Sequence, residues 1–163
     1  MTVVRPVPVA VLVVGAAARI AVGVLWLLEG ILKHRAGFGA ADILLVADGA
    51  AMNSRVPSFF AVLGTAMKEL PGVFGVAIPA LEVLLGALLV VGTGPGRPAA
   101  VVTRVVAMAS LGTLMLYWSS DQLIAQYPVM AVLTGLVLAL PAAGTIGLPL
   151  LWRRAARTAE RNS

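Results

Sequence analysis

The residues of this chain with chemistry to offer are charges set in apolar sequence. The stretch GAAARIAVGVLWLLEGILKH, residues 15–34, carries Arg19, Glu29 and Lys33, and a later apolar run carries Glu82. At the centre of a membrane helix such a charge costs about 2.5–3.5 kcal/mol by insertion scales, so each calls for a partner. Wound as a helix, Arg19, Trp26, Glu29 and Lys33 fall within an arc of about 80°. Glu29 and Lys33 stand four residues apart, in the favourable order for a helical ion pair. A polar stripe of this kind belongs toward the inside of a helix bundle. Its carboxylates suit a proton site, the stripe suits a polar pocket for a quinone-like headgroup, and an ion pair can equally serve only to set helix register.

Depth suggests a partner for Arg19. It lies about 16 Å into the first apolar run, and Glu82 lies about 13 Å from the opposite face in the second. Both are then near the midplane, and an Arg19–Glu82 pair at the centre of the bundle is expected. Gly15 and Gly23 flank Arg19 one turn away on either side, and Gly86 follows Glu82 by one turn. Small residues at these places let a neighbouring helix approach closely.

A second cluster lies in YWSSDQLIAQYP, residues 117–128, with Tyr117, Trp118, Asp121, Gln122 and Tyr127. Aromatics here also fit a membrane-interface belt. Glu29 and Lys33 end the first run on the same side, and Asp42, Asp48, Asn53 and Arg55 follow them. These groups are expected to converge with Trp26 into a polar, aromatic mouth. His34 is the single histidine and makes no metal site alone, so none is expected.

The elements that must position these residues follow from composition. Of 163 residues, 60% are hydrophobic and 12% charged, against about 25% charged in a typical soluble domain. The fold class expected is all-α integral membrane: a four-transmembrane-helix bundle forming a single domain over residues 1–163. A span needs about 20 apolar residues, which places spans at about 8–32, 73–92, 99–118 and 128–152. TGPGRP, residues 93–98, breaks the second span from the third, and Pro141 and Gly144 loosen the fourth. In the long first connection, DILLVADGAA is too short to cross. PSFFAVLGTAMKELPG reads as an interfacial helix over about 57–70, with Phe60, Leu63, Met67 and Leu70 on one face, lying on the bilayer or capping the bundle.

The net charge of +5 is concentrated after the last apolar run, where Arg153, Arg154, Arg157 and Arg161 stand in a basic tail over 153–163. Basic residues flanking a span read as a cytoplasmic anchor rather than a nucleic-acid surface, so no nucleic-acid partner is expected. Arg5, Arg97 and these four arginines share one side, opposite Lys33, Arg35, Arg55 and Lys68. The positive-inside rule then puts both termini in the cytoplasm. The first apolar run is too long for a cleavable signal peptide. The absence of cysteine removes disulfides, thiolate metal sites and dithiol redox chemistry.

These residues resemble a known family. ARIAVGVLWLLEGILKHRAGFG is similar to the first span of the DoxX family, and IPALEVLLGALLVVGTGPGRPAAVV to its second, with a membrane glutamate, a glycine one turn later and a Gly-Arg turn. The resemblance covers about residues 15–140. Arg19, Glu29, Lys33, Glu82 and Arg97 match the family's polar positions as a pattern, and YWSSDQLIAQYP is not part of it. The long first connection is also similar to DoxD, the small subunit of thiosulfate:quinone oxidoreductase. The resemblance implies a bacterial inner-membrane protein of four helices associated with respiratory or redox-stress complexes, and carries over no catalytic residue set.

Three functions follow as expectations. The first is a membrane subunit or anchor of a redox assembly, with an oxidoreductase partner and a quinone contact at the polar stripe, and no covalently bound cofactor. The second is a small proton-coupled transporter using Glu29 or Glu82. The third is an assembly factor with no ligand. A homo-oligomer is compatible with each. The chain has no haem-ligand pair, phosphate loop or cysteine site, so an autonomous enzyme is not expected.

Overall fold

A computed structural model of the chain describes residues 7–92, 97–122, 124–140 and 143–144. They form six helices in order: α1 (Val9–Arg35), α2 (Ala40–Met52), α3 (Phe60–Glu69), α4 (Pro71–Val91), α5 (Arg97–Ser119) and α6 (Tyr127–Ala139). Three of them, α1, α4 and the Pro98–Ser119 part of α5, are long and apolar enough to cross a membrane. The protein is thus all-α and membrane-embedded. Less than half of each of these helices is buried inside the protein. Val13, Val24, Leu28, Leu84, Val105 and Met108 are exposed along them, as a lipid-facing surface requires.

The fourth expected span begins as α6, which runs 13 residues. Most of its continuation to 152 lies outside the described residues, as do Pro141 and the basic tail 153–163. Other boundaries shift modestly. The first helix runs on to Arg35, placing Lys33, His34 and Arg35 in its last turn, where cations complement the helix dipole. Gly37 then takes φ of +73°, and the Phe38 N–H returns to the Lys33 carbonyl at 3.0 Å, ending the helix in a left-handed turn. Pro71 follows the end of α3 and occupies the first turn of α4, a place where its missing N–H costs nothing.

Helices α1 and α4 form the central contact of the bundle. Their pairing is antiparallel: Gly23 meets Gly86 and Val90, while Gly30, one heptad later, meets Pro79 and Val83. A Cβ on Gly86 would fall 2.7 Å from the Gly23 carbonyl oxygen, and one on Gly30 the same distance from the Pro79 carbonyl oxygen. Only glycine lets the backbones touch there. Helix α6 packs on α1 and α5, and α5 on α4. The main apolar core gathers Val22, Trp26, Leu85, Leu89, Leu114, Met130 and Val137.

The long first connection is more ordered than its sequence suggests. DILLVADGAA belongs to a full helix, α2, whose start is held by the Gly39 N–H donating to Asp42 Oδ2 at 2.9 Å. Helices α2 and α3 pair with each other and pack on α4. Ile43, Ala47, Ala50, Phe60 and Met67 make their own core, with Leu63, Phe74 and Ile78 against it. The expected face of α3 is therefore turned toward protein, except Leu70, which is exposed.

Candidate functional site

The stripe on α1 faces inward, as its spacing demands. Arg19, Trp26 and Glu29 are buried and Lys33 is nearly so. The expected Arg19–Glu82 pair does not form. The Arg19 guanidinium donates from Nε to the Ala143 carbonyl at 2.9 Å, and from Nη1 to the carbonyls of Leu89 and Val90. Leu89 and Val90 belong to the last turn of α4, where carbonyls have no intrahelical donor. The reason for the correction is register. Leu89 lies seven residues beyond Glu82, about 10 Å along the helix, and α1 continues past the end of α4. Arg19 is thus level with the α4 terminus, where it supplies donors and positive charge to the negative end of a helix dipole.

Glu82 finds its partners nearer the other end of α1. Lys33 Nζ donates to its Oε1 in an ion pair, and the Tyr117 hydroxyl donates to the same oxygen at 2.7 Å. Lys33 also lies 4.0 Å from Glu29, the helical pair expected from the spacing. It sits 4.8 Å from the Tyr117 ring centroid and 5.5 Å from that of Phe38, a cation–π setting on two sides. Glu29 accepts a hydrogen bond from Gln126 Nε2. Helices α1, α4 and α5 and the turn before α6 therefore meet at one polar cluster. It holds two carboxylates and one lysine, so one added proton or cation balances it when both carboxylates are ionised.

The aromatic rings stack beside this cluster. Trp26 meets Tyr117 edge-on with centroids 6.2 Å apart, and Tyr117 lies 5.4 Å from Tyr127. The Trp26 indole N–H donates to Ser110 Oγ at 2.7 Å, and Ser110 lies 3.3 Å from Thr134 Oγ1, so its donor is satisfied inside the core. Among the described residues two buried polar atoms here have no hydrogen-bond partner: Glu82 Oε2 and the Tyr127 hydroxyl. Buried polar groups are nearly always hydrogen-bonded, so at this cluster a water, ion or ligand would find hydrogen-bonding capacity unused by the described residues.

Tyr127 also lines a cleft of about 330 Å³ between α5 and α6. Leu114, Ala131 and Pro128 make its wall, and exposed Trp118 and Ile124 stand at its rim. Its volume is within the usual range for a small-molecule site. The structure thus divides the expected outer cluster. Tyr117 and Tyr127 join the buried charges, while Trp118 and Gln122 line the cleft. Asp121 goes elsewhere: it accepts from Asn53 Nδ2 at 2.5 Å and pairs with Arg55 at 3.5 Å, with φ of +60°. That contact ties the α2–α3 connection to the loop before α6. Asp48 pairs with Lys68 at 2.6 Å on the surface, and Asp42 caps α2, so neither reaches the mouth.

Sequence reasoning did not single out Gln126, Ser110 or Thr134. Gln126 stands beside Tyr127 in the quoted loop, and its neighbourhood was the available signal. Ser110 and Thr134 are small hydroxyl residues in apolar helices and carry no such signal. No known family model, curated protein or solved structure matches the chain. The class that fold and site define is an all-α membrane protein with a buried Lys–Glu–Tyr cluster beside an apolar cleft.

Proposed function

We propose that the chain is a membrane subunit or anchor of a bacterial respiratory or redox assembly, and that it meets a quinone in the cleft between α5 and α6. The observation that carries this reading is Tyr127: it lines the apolar cleft, and its buried hydroxyl has no hydrogen-bond partner among the described residues. A quinone ring is flat and apolar with a carbonyl acceptor at its edge. It fits the cleft against Tyr127, and a shift of that side chain brings the buried hydroxyl to the quinone carbonyl as its acceptor. Trp118 at the rim supplies a face for stacking. The Lys33–Glu82–Tyr117 cluster supports Tyr127 from behind, because the two tyrosine rings are in contact.

In this reading the chain belongs to the DoxX family, on the resemblance of residues 15–140. The run from Tyr127 to Trp152 completes a fourth span, and both termini lie in the cytoplasm of a bacterial inner membrane, on the distribution of arginine. The redox cofactor resides in an oxidoreductase partner. The test is to titrate a short-chain ubiquinone into the detergent-purified protein and follow Trp fluorescence, with Tyr127→Phe alongside. Saturable quenching that weakens about tenfold in the variant supports the site, the loss expected for one hydrogen bond of about 1.4 kcal/mol. Equal affinity in both proteins removes it, and co-purification in mild detergent tests the partner.

A second reading rests on Glu82 Oε2, a buried carboxylate oxygen with no donor among the described residues. Such an atom suits a proton carrier, and Glu29 shares the same lysine. Proton flux into proteoliposomes that persists when both glutamates are replaced by Gln rules out transport through them.

A further inference from the structure

We infer that the groove between α1 and α4 on the outside of the bundle is a binding site for an anionic phospholipid. This site is separate from the α5–α6 cleft and does not depend on the function proposed for it. The groove has a volume of about 580 Å³ and is almost wholly apolar, with Ile31, Val76, Ala80, Val83 and Ala87 along it. It exists because Gly30 lets the two helices touch at its floor, where a Cβ would strike the Pro79 carbonyl oxygen at 2.7 Å. From Val76 to Ala87 the groove follows α4 for eleven residues, about 16 Å. That is about half the 30 Å hydrocarbon core, the depth of one leaflet and the reach of one acyl chain.

What chooses the headgroup is the cationic end of the groove. The last turn of α1 holds three consecutive basic residues, Lys33, His34 and Arg35. Successive residues on a helix point about 100° apart. Lys33 accordingly turns inward to Glu82, while His34 and Arg35 line the groove. Both are exposed, and neither makes a side-chain hydrogen bond or ion pair among the described residues. An apolar channel one leaflet deep, ending in two unpaired basic side chains at the end of a span, is complementary to an acyl chain joined to a phosphate. The planar fork of Arg35 suits two phosphate oxygens, and His34 adds an N–H donor.

The test uses the full chain, delipidated in detergent and offered phosphatidylglycerol or phosphatidylcholine with the same acyl chains, with retained lipid counted by native mass spectrometry. Phosphatidylglycerol should be retained about five-fold or more over phosphatidylcholine, the effect of about one basic residue at an anionic headgroup. His34→Gln with Arg35→Gln should abolish that preference, and Ala80→Phe, which fills the groove at an exposed position, should reduce retention of both lipids. Equal retention of the two lipids by the unaltered chain overturns the proposal. So does a preference that survives the double replacement, or a dimer that Ala80→Phe dissociates, which would make the groove a contact between two copies. Should Ala80→Phe fail to fold, the charge replacements alone decide, because both are surface changes.

Discussion

Arg19 and Glu82 are both charged, both wholly buried, and both at the contact between α1 and α4, yet they are satisfied in different ways. Arg19 spends its donors on backbone carbonyls at the end of α4 and on Ala143 after α6. Those acceptors come with the fold, so the arginine fastens helix ends together and offers nothing to a ligand. Glu82 is held by side chains, Lys33 and Tyr117, on one oxygen, and its second oxygen and the nearby Tyr127 hydroxyl have no partner among the described residues. A buried charge bonded to backbone reads as architecture. One bonded to side chains, with polar atoms left over beside a cleft, reads as a site.

The comparison can be broken most forcefully at Lys33. Lys33→Met leaves Glu82 and Glu29 without their shared cation, and removing one partner of a buried pair costs about 3–5 kcal/mol. Unfolding in mixed micelles should show that loss, and Lys33→Met with Glu82→Leu should recover most of it. If the double replacement is as unstable as the single one, the pair is not the source of the effect.

Arg19→Leu should come next, at about 2–4 kcal/mol, since it removes charged hydrogen bonds and leaves buried carbonyls without donors. Its quinone affinity should be unchanged, measured by the same fluorescence titration. An affinity loss comparable to that of Tyr127→Phe would erase the distinction between the two ends.

Gly86→Ala should cost about 1–3 kcal/mol, because the added Cβ meets the Gly23 carbonyl oxygen and the Leu27 amide nitrogen at 2.7 Å, besides the Leu27 side chain, and backbone cannot easily give way. Calorimetry of the reconstituted protein reads it, and a neutral result would mean that α1 and α4 separate at no cost.

Tyr127→Phe should change stability by less than about 1 kcal/mol, because the hydroxyl it removes has no hydrogen-bond partner among the described residues. Ligand affinity should fall all the same. A large loss of stability instead would place that hydroxyl in a structural bond and make the two ends alike.

The smallest effect belongs to Asp121→Asn, at about 0.2–1 kcal/mol, since its pair with Arg55 is largely exposed. It sharpens the comparison by showing what an ion pair contributes where water competes for it. Proteolysis of the loop before α6 should nonetheless accelerate if the contact holds the α2–α3 connection in place.

Much of this arrangement is legible in the chain because membrane insertion imposes strong local rules. Apolar length marks α1, α4 and α5 as spans, and 100° periodicity puts Arg19, Trp26, Glu29 and Lys33 on one inward face. The close approach of α1 and α4 is announced by Gly23 and Gly86, since only small residues permit it. Helix α2 is less legible, because a short apolar run looks alike as loop, strand or buried helix until a neighbour buries it. Which charge meets which lies beyond local rules altogether. Depth estimates put Arg19 beside Glu82, but a shift of two helical turns in register, about 10 Å, exchanges that partner for Lys33. Register depends on where Gly30 seats against Pro79 and on where α4 ends beneath α1. So the sequence by itself determined that charges would face inward along one helix, through periodicity and the cost of exposing them to lipid. Only the tertiary structure decided that Arg19 would cap helix ends while Lys33, Glu82 and the tyrosines gathered at the cleft, because pairing depends on the relative displacement of two helices.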